Sequence, residues 1–166
     1  MNKTCLADGV YVSKDHPRIV FRGALDSLQA NILEAQVLAA EKNEEYYANA
    51  LGEILDFVRE LMCVEVKEQP AAERKLFGMS LDDLHEQSHK VKEFFGFAHP
   101  LPDHTMGALS IRLNTLRTRV RETELIAAGT LSEPRQNDIV HALNRLSSAV
   151  YWLFCRSVSG KQLTQP

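Results

Sequence analysis

The sequence predicts an all-α fold, a bundle of five helices behind an irregular N-terminal lead-in over residues 1–21. Apolar residues recur every three to four positions through most of the 166 residues, which is the period of an amphipathic helix. Pro and Gly divide this pattern into five segments, and no alternating pattern of useful length indicates a sheet. The length suits one domain over residues 1–166, with a frayed tail over 160–166.

Start and stop signals support each predicted helix. Pro70 ends the second helix, and Ser80 with Asp83 resembles the capping box that opens the third. Gly129 is interpreted as a left-handed cap after the fourth helix, and Pro134 suits the first turn of the fifth. The predicted helices are 22–41, 44–66, 80–96, 105–128 and 134–158. Because their connections are mostly short, neighbouring helices are expected to run antiparallel.

Composition excludes several classes of protein. The net charge of -3 argues against nucleic-acid binding, which favours basic surfaces. No apolar run approaches the roughly 20 residues needed to span a bilayer, and the N-terminus lacks a signal-peptide pattern. Three widely spaced cysteines give neither a disulfide framework nor a CxxC metal clip, so a cytoplasmic location is expected. Cys63 and Cys155 lie in apolar runs and are interpreted as small core residues.

A charged stripe on the predicted fourth helix is the most informative feature. Arg117, Arg121 and Glu124 recur at helical spacing, and Asn114 lies one turn earlier on the same side. The apolar residues around the stripe leave little room for a fully solvated face. Charges held against a core need partners or a ligand, and converging arginines suit phosphate groups. The stripe therefore predicts a site for an anionic ligand.

Histidines offer a second set of candidates. His85 and His89 are four residues apart, so both imidazoles lie on one helix face, a spacing found in metal-binding helices. The sequence indicates no third ligand, so we predict no metal ligands. A position at the edge of the core or in solvent is the alternative interpretation of the two histidines. His99 and His104 lie in a Pro-rich loop that we expect to be structured.

Three further polar residues have two interpretations each. Lys14 is either part of a solvated lead-in or a lysine that faces phosphate. Asp26 lies beside the buried face of the first helix, where Arg117 or Arg121 is the obvious partner. Asn144 interrupts the apolar pattern of the fifth helix, either as a structural hydrogen-bonding group or as a reader of a base or ribose edge.

Four segments in order resemble the ATP:cob(I)alamin adenosyltransferases. Residues 117–124 and 143–147 are similar to the RTxxRRxER and LNRLSD patterns of that family. Residues 14–18 and 23–28 are similar to its VSKDxxRV and GxxDEL segments. The form of the fourth and fifth helices, with Leu84–His89, resembles the ethanolamine-utilisation branch.

The resemblance implies a trimer of five-helix bundles that binds ATP at each subunit interface. Members transfer the 5′-deoxyadenosyl group of ATP to the cobalt of cob(I)alamin. ATP, Mg²⁺ and cobalamin are therefore the expected cofactors and substrates, with cobalamin as substrate and product. A cobalamin reductase and an adenosylcobalamin-dependent ammonia-lyase are the expected protein partners. Neither nucleic acid nor a membrane is an expected partner. Association with a bacterial microcompartment is expected for this branch.

The resemblance also assigns roles to individual residues. The residues assigned to catalysis are Arg117, Arg121 and Asp26, with Asp26 pairing with Arg117 across the interface. The residues assigned to the nucleotide are Lys14, Arg121, Glu124 and Asn144. Phe97 is the expected apolar residue beneath the corrinoid.

The chain departs from the family pattern at several positions. Glu122 replaces the second Arg of the RR pair, and Leu125 replaces the Arg after the family's Glu. The TGDxGxT phosphate loop and the His-Cys-Cys-Cys metal motif of some members have no counterpart. A module that binds ATP or adenosylcobalamin without turnover is therefore the alternative function, and a purely structural helical oligomer is the third.

Overall fold

The structure is a computed structural model that describes residues 2–162, with side chains described to residue 160. Within that range it is mostly α-helical, as predicted. The strands are β1 (Lys3–Ala7), β2 (Val10–Ser13), β3 (Lys75–Leu76) and β4 (Met79–Ser80). The helices are α1 (Pro17–Glu41), α2 (Glu45–Lys67), α3 (Leu81–His89), α4 (Val91–Phe95), α5 (Ala108–Thr130) and α6 (Arg135–Gln162). A 3₁₀ turn, His104–Met106, precedes α5.

The four long helices pack around a single cluster of buried apolar side chains. Helix α1 packs against α2 and α5, α5 packs against α6, and α3 packs on the remaining side of α6. Phe21, Ile32, Leu51, Leu113 and Phe154 are among the fully buried side chains that join these helices. This arrangement places one edge of the α5–α6 pair beside α3, where the candidate site lies.

The prediction of an irregular lead-in is wrong for most of residues 1–21. Strands β1 and β2 form an antiparallel hairpin, with Lys3 opposite Ser13. Its turn is made by Asp8 and Gly9, which both have positive φ, and Asp-Gly is a favoured pair for tight hairpins. Helix α1 begins at Pro17, five residues before the predicted start, because proline's fixed φ suits the first helical position.

The third and fourth predicted helices also differ from the structure. Ser80 caps α3 as predicted, since its Oγ accepts a hydrogen bond from the Asp83 N–H at 3.0 Å. The helix then breaks at Lys90, whose φ and ψ of −105° and 44° are not helical, so a separate short helix follows. Gly129 is not a left-handed cap: α5 continues through it to Thr130 and ends on extended backbone. Helix α6 extends to residue 162, and the rest of the predicted frayed tail lies outside the described residues.

A buried carboxylate ties the N-terminal hairpin to the bundle. Glu65 on α2 is 2% exposed and accepts hydrogen bonds from Arg18 Nε and, at 2.5 Å, from Arg22 Nε. Arg18 also donates to the Glu65 carbonyl at 2.8 Å and pairs with the exposed Glu68. Arg22 Nη1 donates to the carbonyl of Leu6 in β1. Arg22 therefore links the backbone of the hairpin to the buried carboxylate of Glu65.

The cysteines divide between surface and core. Cys5 and Cys63 are exposed, so the prediction of a core position is wrong for Cys63, which lies on the outward face of α2. Cys155 is buried as predicted, and burial raises its thiol pKa to about 11. None of the helices in residues 2–162 combines the length and the apolar character needed to cross a membrane.

Candidate anion-binding site

A pocket of about 210 Å³ opens where α5, α6, α3 and the loop before α5 meet. Its lining side chains carry cationic, imidazole or hydroxyl groups, and none carries a carboxylate. They are Ser88, His89, His99, Arg117, Arg121, Ser147, Ser148 and Tyr151. Hydrogen-bond donors without a competing negative charge suit a ligand rich in anionic oxygens. We therefore take this pocket as the candidate for the predicted anion site.

Two arginines one turn apart on α5 dominate this pocket. Arg117 is half-buried, and its Nε donates to Asn114 Oδ1 at 3.3 Å. Its guanidinium also lies 5.9 Å from the centre of the Tyr151 ring. Arg121 is exposed, so the expectation that the stripe lacks a solvated face holds for Arg117 but not for Arg121. Among the described residues, no carboxylate forms an ion pair with either arginine.

A chain of hydrogen bonds lies next to the pocket, because Ser147 Oγ donates to the carbonyl of Asn144 at 2.8 Å. Asn144 Nδ2 donates to Glu124 Oε1 at 3.1 Å, and Asn144 Oδ1 accepts from Arg145 Nη1 at 3.2 Å. Arg145 Nε donates to Asp82 Oδ1 at 2.8 Å. The structure thus brings Glu124 and Asn144 into contact, while their assignment to the nucleotide stays a prediction. Sequence reasoning missed Asp82 and Arg145, which are 63 residues apart in the chain.

The two histidines of α3 lie on one face, as their spacing predicted. Their ring centres are 4.4 Å apart. His85 Nδ1 lies 2.9 Å from Ser148 Oγ, and His89 Nδ1 lies 2.9 Å from the His85 carbonyl oxygen. Burial, with the nearby charge of Arg145, lowers the pKa of His85 and favours its neutral form. Within the described part of the chain, no group of three His, Cys, Asp or Glu side chains is arranged to hold a metal ion.

Tyr151 connects the loop before α5 to the arginines. Its hydroxyl lies 2.9 Å from His99 Nδ1, and the two rings stack with centres 5.9 Å apart. Burial raises the pKa of Tyr151 well above its usual range, so the phenol keeps its proton at neutral pH. The loop is therefore structured, as its prolines and histidines indicated, but no sequence pattern pointed to Tyr151. His104, the other loop histidine, is exposed and does not line the pocket.

Five of the seven residues assigned by resemblance do not line the pocket of a single chain: Glu124 and Asn144 belong to the neighbouring chain of hydrogen bonds, and Lys14, Asp26 and Phe97 lie elsewhere. Lys14 is exposed between β2 and α1, and Asp26 is exposed on α1. The Asp26–Arg117 ion pair is not formed among the described residues of a single chain. Phe97 is half-buried and packs against Phe95, with ring centres 5.9 Å apart. None of the three lines the pocket that Arg117 and Arg121 share.

A larger cavity of about 680 Å³ lies between α2, the segment 71–74 and the first turns of α3 and α6. Its lining includes four carboxylates, from Glu60, Glu73, Asp82 and Asp138, but few cations. These negative charges oppose a phosphate ligand. Volume alone therefore does not identify the anion site, and the smaller pocket has the better chemistry.

Comparison with known protein families defines the class of this protein: the chain belongs to the cobalamin adenosyltransferase family. A sequence profile of that family matches residues 1–157. This match covers both the N-terminal hairpin and the helices that carry the arginine pocket, and it confirms the resemblance found in the four motifs.

Within the family, the chain is similar to corrinoid adenosyltransferases named EutT. It is 36% identical over 157 residues to EutT of Salmonella typhimurium strain LT2, and 35% identical to EutT of Escherichia coli K12. Each match covers 92% of this chain but 57% of the relative, so the chain spans little more than half the length of these relatives. No solved structure gives a significant match.

Proposed function

We propose that this chain transfers the 5′-deoxyadenosyl group of ATP to the cobalt of cob(I)alamin, forming adenosylcobalamin for ethanolamine utilisation. Family membership and the names of the curated relatives support this assignment. The observation that carries it is the pocket in which Arg117 and Arg121 face only neutral or cationic neighbours. Two guanidinium groups without a carboxylate partner are suited to a triphosphate.

The reaction requires charge stabilisation more than acid–base chemistry. The electron pair of Co(I) attacks C5′ of ATP, a Co–C5′ bond forms, and the C5′–O5′ bond breaks. Its electrons leave with the triphosphate, and cobalt becomes Co(III). Cob(II)alamin must first gain one electron, which a separate cobalamin reductase would supply. Arg117 and Arg121 would bind the triphosphate and stabilise its growing charge as it departs.

Magnesium fits this site as part of the nucleotide substrate. Mg²⁺ prefers carboxylate oxygens, phosphate oxygens and water, and no carboxylate lines the pocket. The ion would therefore arrive bound to the phosphates of ATP, while the arginines contact the remaining phosphate oxygens. Metal dependence beyond MgATP is not part of the proposal.

The proposed active form is a homotrimer with ATP between subunits. Lys14 and Asp26 do not line the pocket of their own chain, so a neighbouring subunit would supply them. In that arrangement Lys14 would face the phosphates and Asp26 would pair with Arg117. Phe97 would contact the corrinoid. An adenosylcobalamin-dependent ammonia-lyase would receive the product, within or beside a bacterial microcompartment.

An anaerobic spectroscopic assay tests this function. Purified protein is mixed with MgATP and chemically reduced cob(I)alamin, and a photolabile alkylcobalamin product is followed by its absorbance. Several product molecules per subunit are expected from the wild type. Wild-type turnover in both Arg121→Ala and Asn144→Ala would contradict the proposed site.

The second candidate is a module that binds ATP or adenosylcobalamin without turnover. The departures at Glu122 and Leu125 favour it, because two arginines of the family pattern that could bind phosphate are absent here. Tight binding of adenosylcobalamin with no conversion of cob(I)alamin would establish this alternative. Multiple turnovers would exclude it.

A further inference from the structure

The amide of Asn144 is engaged at both ends, which fixes its orientation. Its oxygen accepts from Arg145 Nη1 at 3.2 Å, and its nitrogen donates to Glu124 Oε1 at 3.1 Å. Rotating the amide by 180° would face its NH₂ towards a guanidinium and its oxygen towards a carboxylate, and both contacts would be repulsive. One N–H and one oxygen lone pair remain for a ligand, so a fixed amide presents them in a defined direction.

Arg145 can orient this amide because a second hydrogen bond fixes its own guanidinium. Its Nε donates to Asp82 Oδ1 at 2.8 Å, and its side chain is only 20% exposed. Asp82 lies in the first turn of α3, a helix tied to α6 by the 2.8 Å bond from Trp152 Nε1 to Gln87 Oε1. A planar guanidinium can bond to two partners in fixed directions, whereas a lysine ammonium cannot reproduce this fork.

We propose that Arg145 is a positioning residue: anchored by Asp82, it holds the Asn144 amide in the orientation that binds the nucleotide. This inference rests on the proposed function, because it takes Asn144 as a nucleotide contact. Neither residue lines the arginine pocket, but the guanidinium of Arg145 is already engaged by Asp82 and Asn144, whereas the Asn144 amide keeps one N–H and one oxygen lone pair for a ligand. Arg145 therefore acts on the nucleotide through Asn144 and does not bind phosphate itself.

A double-mutant cycle on MgATP affinity separates action through Asn144 from direct binding. Calorimetry measures Kd for the wild type, Asn144→Ala, Arg145→Ala and the double variant. Loss of one or two hydrogen bonds should weaken binding about tenfold in Asn144→Ala and about fivefold in Arg145→Ala. If Arg145 acts through Asn144, the double variant should be only about tenfold weaker than the wild type.

Milder variants keep the test independent of folding damage. Arg145→Lys should keep an attraction to Asp82 but cannot bond to Asp82 and Asn144 in the same fixed geometry. Its MgATP affinity should therefore be intermediate between those of the wild type and Arg145→Ala. Arg59→Ala is the matched control, because Arg59 forms an exposed i,i+3 pair with Asp56 on α2. Its affinity should equal that of the wild type, and melting curves verify that every variant is folded.

The outcomes distinguish this inference from the proposed function. Effects that multiply to about fiftyfold in the double variant would refute positioning while leaving ATP binding intact. Wild-type affinity in Arg145→Lys and Arg145→Ala would refute it equally. A wild-type protein that binds no MgATP would refute the proposed function, and the positioning role with it.

Discussion

Two arginine pairs with the same spacing have opposite environments in this molecule. Arg18 and Arg22 lie one turn apart on α1 and share the buried carboxylate of Glu65. Arg117 and Arg121 lie one turn apart on α5 and share a pocket without any carboxylate. The first pair is neutralised within the fold and anchors the hairpin. The second has no carboxylate partner, as the proposed phosphate site requires, so a buried carboxylate is the difference between the two pairs. We call Arg18 and Arg22 the closed pair, and Arg117 and Arg121 the open pair.

The largest expected effect is on catalysis at the open pair. Replacing Arg117 or Arg121 with Ala removes a donor that stabilises the departing triphosphate, and loss of such a donor typically costs about 100-fold in rate. We expect kcat/KM for adenosylcobalamin formation to fall about 100-fold in each variant, with little change in the melting temperature. Steady-state kinetics and calorimetry measure the two quantities. A large loss of stability with unchanged kcat/KM would show that Arg117 and Arg121 have a structural role and not a role in catalysis.

The closed pair should show the opposite behaviour. Glu65→Gln leaves the half-buried Arg22 without a charge partner and Arg18 with only the exposed Glu68, and breaking a buried ion pair costs about 3 kcal/mol in free energy of unfolding. Glu68→Gln is the matched control, because it removes a partner of Arg18 that is 64% exposed and should cost less than about 1 kcal/mol. Urea unfolding measures both. Equal losses would show that the burial of Glu65 is not what stabilises the hairpin region.

The sequence was sufficient to predict the long helices but not to distinguish the environments of the two arginine pairs. Apolar periodicity located the long helices, and the spacing of Arg117 and Arg121 located the open pair. Periodicity cannot show that Glu65, 43 residues after Arg22, closes the other pair, because that contact depends on how α1 packs against α2. The hairpin was missed because its strands are only four to five residues long, too short for a clear alternating pattern.

The residues of the candidate site also divide into those that the sequence could predict and those that it could not. Helical spacing predicted those that share one helix face, such as His85 with His89. Partners from different elements, such as Tyr151 on α6 with His99 in the loop before α5, required the structure. The roles assigned to the site residues all stay predictions, and those of Lys14 and Asp26 depend in addition on a neighbouring subunit.

A smaller effect is expected at Tyr151, which supports the open pair. Tyr151→Leu removes both the ring beneath Arg117 and the hydroxyl that bonds to His99, whereas Tyr151→Phe removes only the hydroxyl. A cation–π contact contributes about 1 kcal/mol, so KM for ATP should rise about fivefold in Tyr151→Leu. In Tyr151→Phe it should change less than about twofold. Equal KM values in both variants would show that the ring does not position Arg117.

The smallest expected effect is a pH dependence at His85, beside the open pocket. Burial lowers its folded-state pKa below 6.5, so the unfolded chain binds more protons as the pH falls through that value. This group therefore lowers stability on acidification. In His85→Gln, the melting temperature should fall less between pH 7.5 and pH 5.5 than in the wild type, as calorimetry at each pH would show. An identical fall would contradict the assigned cause.

Binding of inorganic tripolyphosphate tests the central claim most directly, because it is the anionic part of the proposed substrate without the nucleoside. Calorimetry would compare the wild type with the Arg117→Gln/Arg121→Gln double variant and with Arg119→Gln, an exposed arginine of α5 paired with Glu122. We predict saturable binding to the wild type and to Arg119→Gln, and its loss in the double variant. Equal affinity in all three proteins would show that the open arginine pair does not form the phosphate site.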